Sequence, residues 1–149
     1  SFACEEWQQF DKKALQRIRE EAKEKFDLSK IQEIGGSDLD PEALTLCKRH
    51  LKQAGLGGKV TVFEKDLRDL EAPYATPCFI ANPPYGERLS DRKQCEKLYT
   101  GLRKLRDRHE GSHMCVITAH HGFERCFGQR AQQKRRLYNG RLECEYCIY

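Results

Sequence analysis

Apolar residues recur along this chain with two periods, and the alternation of the periods divides it into elements. From about Glu5 to Phe26, Trp7, Phe10, Ala14, Ile18 and Ala22 stand three or four apart with Lys, Arg and Glu between them. That spacing predicts an amphipathic helix with a solvated polar face. Ile31 to Ser37 reads as a short strand. Asp40 then suits an N-cap and Pro41 a first helical residue, and Leu44, Cys47, Leu51 and Ala54 keep helical spacing until Gly55 closes the helix. Lys59 to Phe63, β-branched and aromatic, reads as a second strand. A strand, a helix and a strand in one sheet imply parallel strands and a right-handed crossover.

The alternation continues. Cys78-Phe79-Ile80-Ala81 is a third strand; Cys95, Leu98, Tyr99, Leu102 and Leu105 mark a helix from about Asp91 to His109; Met114 to Thr118 is a further buried strand. Asn139-Gly140 marks a hairpin turn between Lys134 to Tyr138 and Arg141 to Tyr149. The expected fold class is therefore α/β, mostly parallel, with a terminal antiparallel hairpin.

Composition changes this picture little. A length of 149 residues suits one domain, and 38% hydrophobic with 34% charged residues describes a charge-rich globular chain. No apolar run approaches a membrane span and no signal peptide stands at Ser1, so a cytoplasmic protein without a membrane partner is expected. The eight cysteines include only one Cys-x-x-Cys pair, Cys144 and Cys147, and on a strand these point to opposite faces. Reduced core thiols and no metal are expected. A net charge of +4 is modest, but Arg125, Arg130, Lys134, Arg135, Arg136 and Arg141 crowd a stretch whose only acid before Glu143 is Glu124. Their clustering suits phosphate contact as well as plain solvation.

The candidate chemistry lies at strand ends. After the third strand comes Asn82-Pro83-Pro84-Tyr85-Gly86-Glu87-Arg88-Leu89. Two prolines hold Asn82 extended, so its carboxamide is aimed by the backbone, and Tyr85 follows at once. A pre-aimed amide beside an exposed ring suits a planar group carrying an amine; the plainer reading is a proline turn. Asp38 and Asp66 follow the first two strands, where the carboxyl ends of a parallel sheet border a ligand crevice. There an acid can bind ribose hydroxyls or an adenine amine; otherwise Asp38 assists a helix start and Asp66 a turn. His120 and His121 follow the fourth strand and can be catalytic or merely polar.

The Asn82 to Leu89 motif, Gly36-Ser37-Asp38-Leu39-Asp40 and Lys134-Arg135-Arg136-Leu137-Tyr138-Asn139-Gly140 resemble the bacterial THUMP-associated RNA methyltransferases that form N2-methylguanine in large-subunit ribosomal RNA. The likeness covers essentially the whole chain. Asn-Pro-Pro-Tyr is shared with DNA adenine-N6 and protein-glutamine methyltransferases, whereas the extension through Gly-Glu-Arg-Leu is more specific. The resemblance implies a Rossmann-like class I methyltransferase fold and S-adenosyl-L-methionine as cofactor. Asp38 would hold its ribose, Asp66 with Leu67 its adenine, and Asn82 would also touch the cofactor. Asn82 and Pro83 would orient the target amine and Tyr85 would stack on the base, while Arg88, Lys134, Arg135 and Arg136 would hold the RNA.

The family begins this domain with a strand and a glycine-rich loop of the Asp-Pro-x-Cys-Gly-Ser-Gly type, and nothing like it precedes Ser1. That strand lies in the family between those ending at Asp38 and Asn82. Residues 1–149 are therefore expected to be a partial methyltransferase domain lacking its first, central strand, with the sheet divided there. Two alternatives stay open: a DNA adenine-N6 methyltransferase, and a non-catalytic RNA-binding module built on the basic hairpin.

Overall fold

A computed structural model describes residues 3–31, 33–86 and 89–149. The chain divides into two compact units, Ser1–Gly36 with Leu46–Val62, and Ser37–Thr45 with Phe63–Tyr149. Its strands are β1 (Ile34–Asp38), β2 (Val60–Glu64), β3 (Cys78–Ala81), β4 (His113–Thr118), β5 (Gln133–Asn139) and β6 (Leu142–Ile148). Its α-helices are α1 (Lys12–Lys25), α2 (Pro41–Gln53), α3 (Leu89–Asp107) and α4 (Phe123–Phe127). Among the described residues no helix is long and apolar enough to cross a membrane.

In the first unit the helix expected from Glu5 begins later. Asp11 caps α1, its carboxylate accepting from the Ala14 amide at 2.9 Å, so Trp7 and Phe10 fall before the helix. Ala3–Glu6 instead forms a 3-10 turn. The apolar stripe is only partly covered within the unit: Phe10 and Ala14 are half-buried, Trp7, Ile18 and Phe26 are exposed, and no described residue of this unit is fully buried. The first strand is also displaced from its expected start at Ile31. A 3-10 turn over Leu28–Lys30 and a left-handed Glu33, φ 55°, delay it to Ile34. Gln32 lies outside the described residues.

The described strands form two sheets, β1-β2 and β3-β4-β6-β5. In the second, β3 runs parallel to β4, and β6 runs antiparallel to both β4 and β5. The chain's last strand is thus internal. Composition explains the order, because β6 carries Cys144, Tyr146, Cys147 and Ile148, whereas Lys134, Arg135 and Arg136 of β5 suit a solvated edge, and every residue of β5 is exposed. The hairpin loop is Gly140-Arg141, one residue beyond the expected centre, with Gly140 at φ 63°. Glycine at the first loop position with an ordinary second residue is the II′ arrangement that matches strand twist.

One face of the four-stranded sheet packs on α3 and α4. Cys95, Tyr99, Leu102, Leu105, Met114, Val116, Phe123, Phe127, Cys147 and Tyr149 form its buried cluster. Helix α4 is absent from the sequence reading. Phe123 and Phe127, four apart and stacked at 5.5 Å, with left-handed Gly128 closing the turn, are the local signals for it.

Candidate active site

Three strand ends carry the residues singled out above. Asp38 closes β1, and its carboxylate accepts from the Asp40 amide at 2.9 Å. Asp40 in turn accepts from Glu42 at 2.8 Å and starts α2. The Lys65 amide donates to the Asp38 carbonyl at 3.1 Å, so the end of β1 lies beside the segment that leads into Asp66. Asp66 is held by Arg68, which reaches the carboxylate through its backbone amide at 2.8 Å, Nε at 2.9 Å and Nη2. These bonds lower the Asp66 carboxyl to about 2 from an ordinary 3.8. It is a carboxylate throughout the physiological range, and its four acceptor positions exceed the three donors of Arg68.

A cleft of about 550 Å³ opens at these strand ends. Leu39, Pro84, Cys95 and Leu98 supply apolar walls, while Asp66, Arg68, Asp91 and Gln94 supply polar groups. Leu39 follows Asp38 and Pro84 lies two residues from Asn82, so the cleft gathers all three strand ends, although Asp38 and Asn82 themselves are not among its lining residues. Leu67 packs instead against the buried cluster, close to Gly101 of α3.

Within the motif, the Tyr85 hydroxyl donates to Asn82 Oδ1 at 2.8 Å, and Cys144 Sγ lies 3.9 Å from the same hydroxyl. Burial pushes the Tyr85 phenol above its ordinary value, so it remains a donor at neutral pH. Pro83 is buried, and Tyr99 anchors the loop by donating to the Pro84 carbonyl at 2.6 Å. Gly86 has φ 69°, and a Cβ there would come within 3.2 Å of Arg92 Cα, so glycine is required where the loop enters α3. Arg88 and Glu87 lie outside the described residues.

Lys134, Arg135 and Arg136 do not act from one surface. Successive strand residues alternate in face. Lys134 pairs with Glu124 at 3.2 Å and Glu145 at 3.3 Å, and Arg136 pairs with Glu143 at 3.2 Å. Arg135 pairs in register with Tyr146 on the opposite face, which it shares with Cys144. Cys144 and Cys147 do diverge, and both are buried. Sequence reasoning missed Arg68, Tyr99 as a loop anchor, and Cys144. The signal for Tyr99 is a tyrosine in an apolar stripe, whose buried hydroxyl needs a partner. Arg68 and Cys144 have no comparable local signal.

An α/β methyltransferase-like fold is what these elements and strand ends define, and solved structures share it. The profile of the family described as "RMKL-like, methyltransferase domain" matches residues 2–148, and the chain belongs to that family. It is 30% identical to ribosomal RNA large subunit methyltransferase K/L of Shewanella amazonensis, over 99% of this chain and 22% of the relative. The structure of SMU.472, a candidate methyltransferase complexed with SAH, superposes with a TM-score of 0.84 at 32% identity, over 100% of this chain and 40% of that one. A predicted N6-adenine-specific DNA methylase from Listeria monocytogenes gives a TM-score of 0.82 at 28% identity, over 100% of this chain and 38% of that one. The chain thus spans between about a fifth and two fifths of the length of these relatives.

Proposed function

We propose that this chain is part of a methyltransferase that uses S-adenosylmethionine to methylate the exocyclic amine of a base in ribosomal RNA, guanine N2 in particular. The observation that carries the reading is the Asn82 side-chain oxygen, tethered at 2.8 Å to Tyr85 on a proline-stiffened loop at the end of β3. An exocyclic amine is a weak nucleophile because its lone pair is delocalised into the ring. Asn82 Oδ1 has a second acceptor position beyond the one Tyr85 uses, and together with the Pro83 carbonyl it can take the two amine hydrogens. Holding them turns the lone pair out of conjugation and toward the methyl group, and that alignment supplies much of the rate. The Tyr85 ring, fixed at its hydroxyl, offers a face on which an unstacked base can lie.

The cleft residues fit the cofactor. Leu39, Pro84 and Leu98 can sandwich an adenine, and the spare acceptor of Asp66 can take its amine. Asp38 retains a second carboxylate oxygen for ribose hydroxyls, its Oδ1 being engaged by Asp40. When bound, S-adenosylmethionine supplies the electrophilic methyl. RNA as substrate is supported by the name of the Shewanella relative, and adenine in DNA is the second reading, favoured by the name of the Listeria structure.

The test is transfer of a tritiated methyl group by the intact protein to ribosomal RNA and to DNA. Label in ribosomal RNA as N2-methylguanine is expected, and Asn82→Ala should abolish it while RNA binding persists. Label in DNA alone would sink this choice. RNA binding with no cofactor affinity would leave the non-catalytic alternative standing.

A further inference from the structure

A second, smaller cavity of about 260 Å³ opens where the carboxyl end of β4 meets the motif loop. Tyr85 and Gly86 form one side, Ala119 to Gly122 another, and Arg92 and Leu142 the rest. It is smaller than the roughly 300–1,000 Å³ typical of sites for drug-sized ligands. One flat heterocycle suits it better than a whole nucleoside, and the ring that would stack on that heterocycle is the one tethered to Asn82.

Two donors border this cavity, and one has a defined hydrogen position. The Gly122 amide donates to His120 Nδ1 at 3.1 Å. A ring nitrogen that accepts carries no hydrogen, so the hydrogen of the neutral ring is on Nε2. The His120 ring packs edge-on against Tyr99, with centroids 5.2 Å apart, and Tyr99 is the residue that holds the Pro84 carbonyl. The histidine and the motif loop are therefore braced through one buried side chain. A Cβ on Gly122 would lie 3.0 Å from His120 Cε1, so the glycine is what admits the ring here. Arg92, whose side chain is half exposed, meets Glu96 at 3.5 Å through Nε, and among the described residues its terminal nitrogens make no ion pair.

We propose that this cavity receives the target base, and that His120 Nε2–H and Arg92 read its acceptor edge and thereby select guanine. The inference deepens the methyl-transfer reading and rests on it. With its 2-amine at Asn82, guanine turns O6 and N7 away from the motif, and both are acceptors, the pair that Arg commonly recognises. Adenine with its 6-amine at Asn82 would present C2–H and N3 there, one acceptor in place of two. Asn82 and Tyr85 cannot distinguish the two amines, whereas two donors at the far edge can. His120 and Arg92 are specificity-determining residues, and Gly122 positions His120.

The probe is an RNA substrate carrying 2,6-diaminopurine in place of the target guanine. It keeps the 2-amine and replaces the O6 acceptor with a donor. The intact wild-type protein should favour guanine by about 10- to 100-fold in kcat/KM. His120→Ala and Arg92→Ala should each bring that ratio toward one, and His120→Gln, which restores an N–H donor, should recover part of it. A ratio near one in the wild type, or a ratio that neither alanine variant changes, overturns the proposal. If no RNA is methylated at all, the methyl-transfer reading fails first, and binding then decides this one. The ¹⁵N signal of His120 Nε2 should shift on titration with guanosine and not with adenosine; no shift with guanosine, or equal shifts with both, overturns it.

Discussion

Replacing Tyr99 with phenylalanine tests the link between core and site most directly. Tyr99 is 0% exposed, its ring sits 4.8 Å from that of Phe123, and its hydroxyl donates to the Pro84 carbonyl at 2.6 Å. Burial pushes the phenol up to about 12, so the hydroxyl is protonated and donating at any working pH. Tyr99→Phe leaves the ring packing in place and removes one buried donor. Losing such a bond costs about 1–3 kcal/mol when the acceptor is stranded. Pro84 is exposed, so water can reach its carbonyl, and the lower end of that range, about 1 kcal/mol, is expected. The larger effect should be on turnover. Pro84 stands between Pro83 and Tyr85, so slack there would displace the Pro83 carbonyl and the Tyr85 tether on Asn82, and with them the two acceptors proposed to orient the amine. Because a misplacement of about 1 Å can cost on the order of 100-fold, a fall in kcat of at least about 10-fold is expected, with a smaller change in KM. Urea denaturation and methyl-transfer kinetics of the intact protein measure the two effects. A variant within about 0.5 kcal/mol of wild type, the scatter of ordinary surface changes, that also keeps its kcat would refute the anchoring argument.

Phe127 is 1% exposed and packs 4.2 Å from the Tyr149 ring, so Phe127→Ala should cost about 3–5 kcal/mol, whereas Trp7→Ala, at an exposed position, should cost little. Equal denaturation midpoints for the two variants would contradict the assignment of the core. Arg68→Ala should raise the Asp66 carboxyl from about 2 toward 3.8, read by ¹³C titration of that side chain. Because the folded-state value is the depressed one, the stabilisation it represents is present above pH 3.8 and is lost as the pH falls through about 2; an unmoved midpoint in the variant would exclude Arg68 as the cause. If the hairpin binds RNA, Arg135→Ala should reduce the slope of log affinity against log salt by about 0.7–0.9, and Lys134→Ala by less, since Lys134 is already paired with Glu124 and Glu145. A larger loss for Lys134→Ala would show that its acidic partners release it.

Local chemistry determined a good deal before folding is considered. The 3.6-residue stripes of α2 and α3, the Asp40-Pro41 start, the apolar run of β3 and the motif after it are all legible because each depends on residues within a few positions of one another. The same holds for Asp38, Asp66 and Asn82 as strand-end residues, since β/α alternation alone brings them to the carboxyl ends. Tertiary structure decided what depends on distant partners. It placed β6 between β4 and β5, because an apolar strand gains more from two neighbours than a basic one does. It also turned Lys134 and Arg136 toward acids and Arg135 away from them, separating three adjacent cations. Residues 59 positions apart put Cys144 beside Tyr85, and Tyr99 reaches back 15 positions to Pro84. The sequence by itself therefore singled out the Asn82 amide as a candidate; only the fold brought Tyr99, Cys144 and His120 to the loop that carries it, because contacts at that separation form only when the core closes.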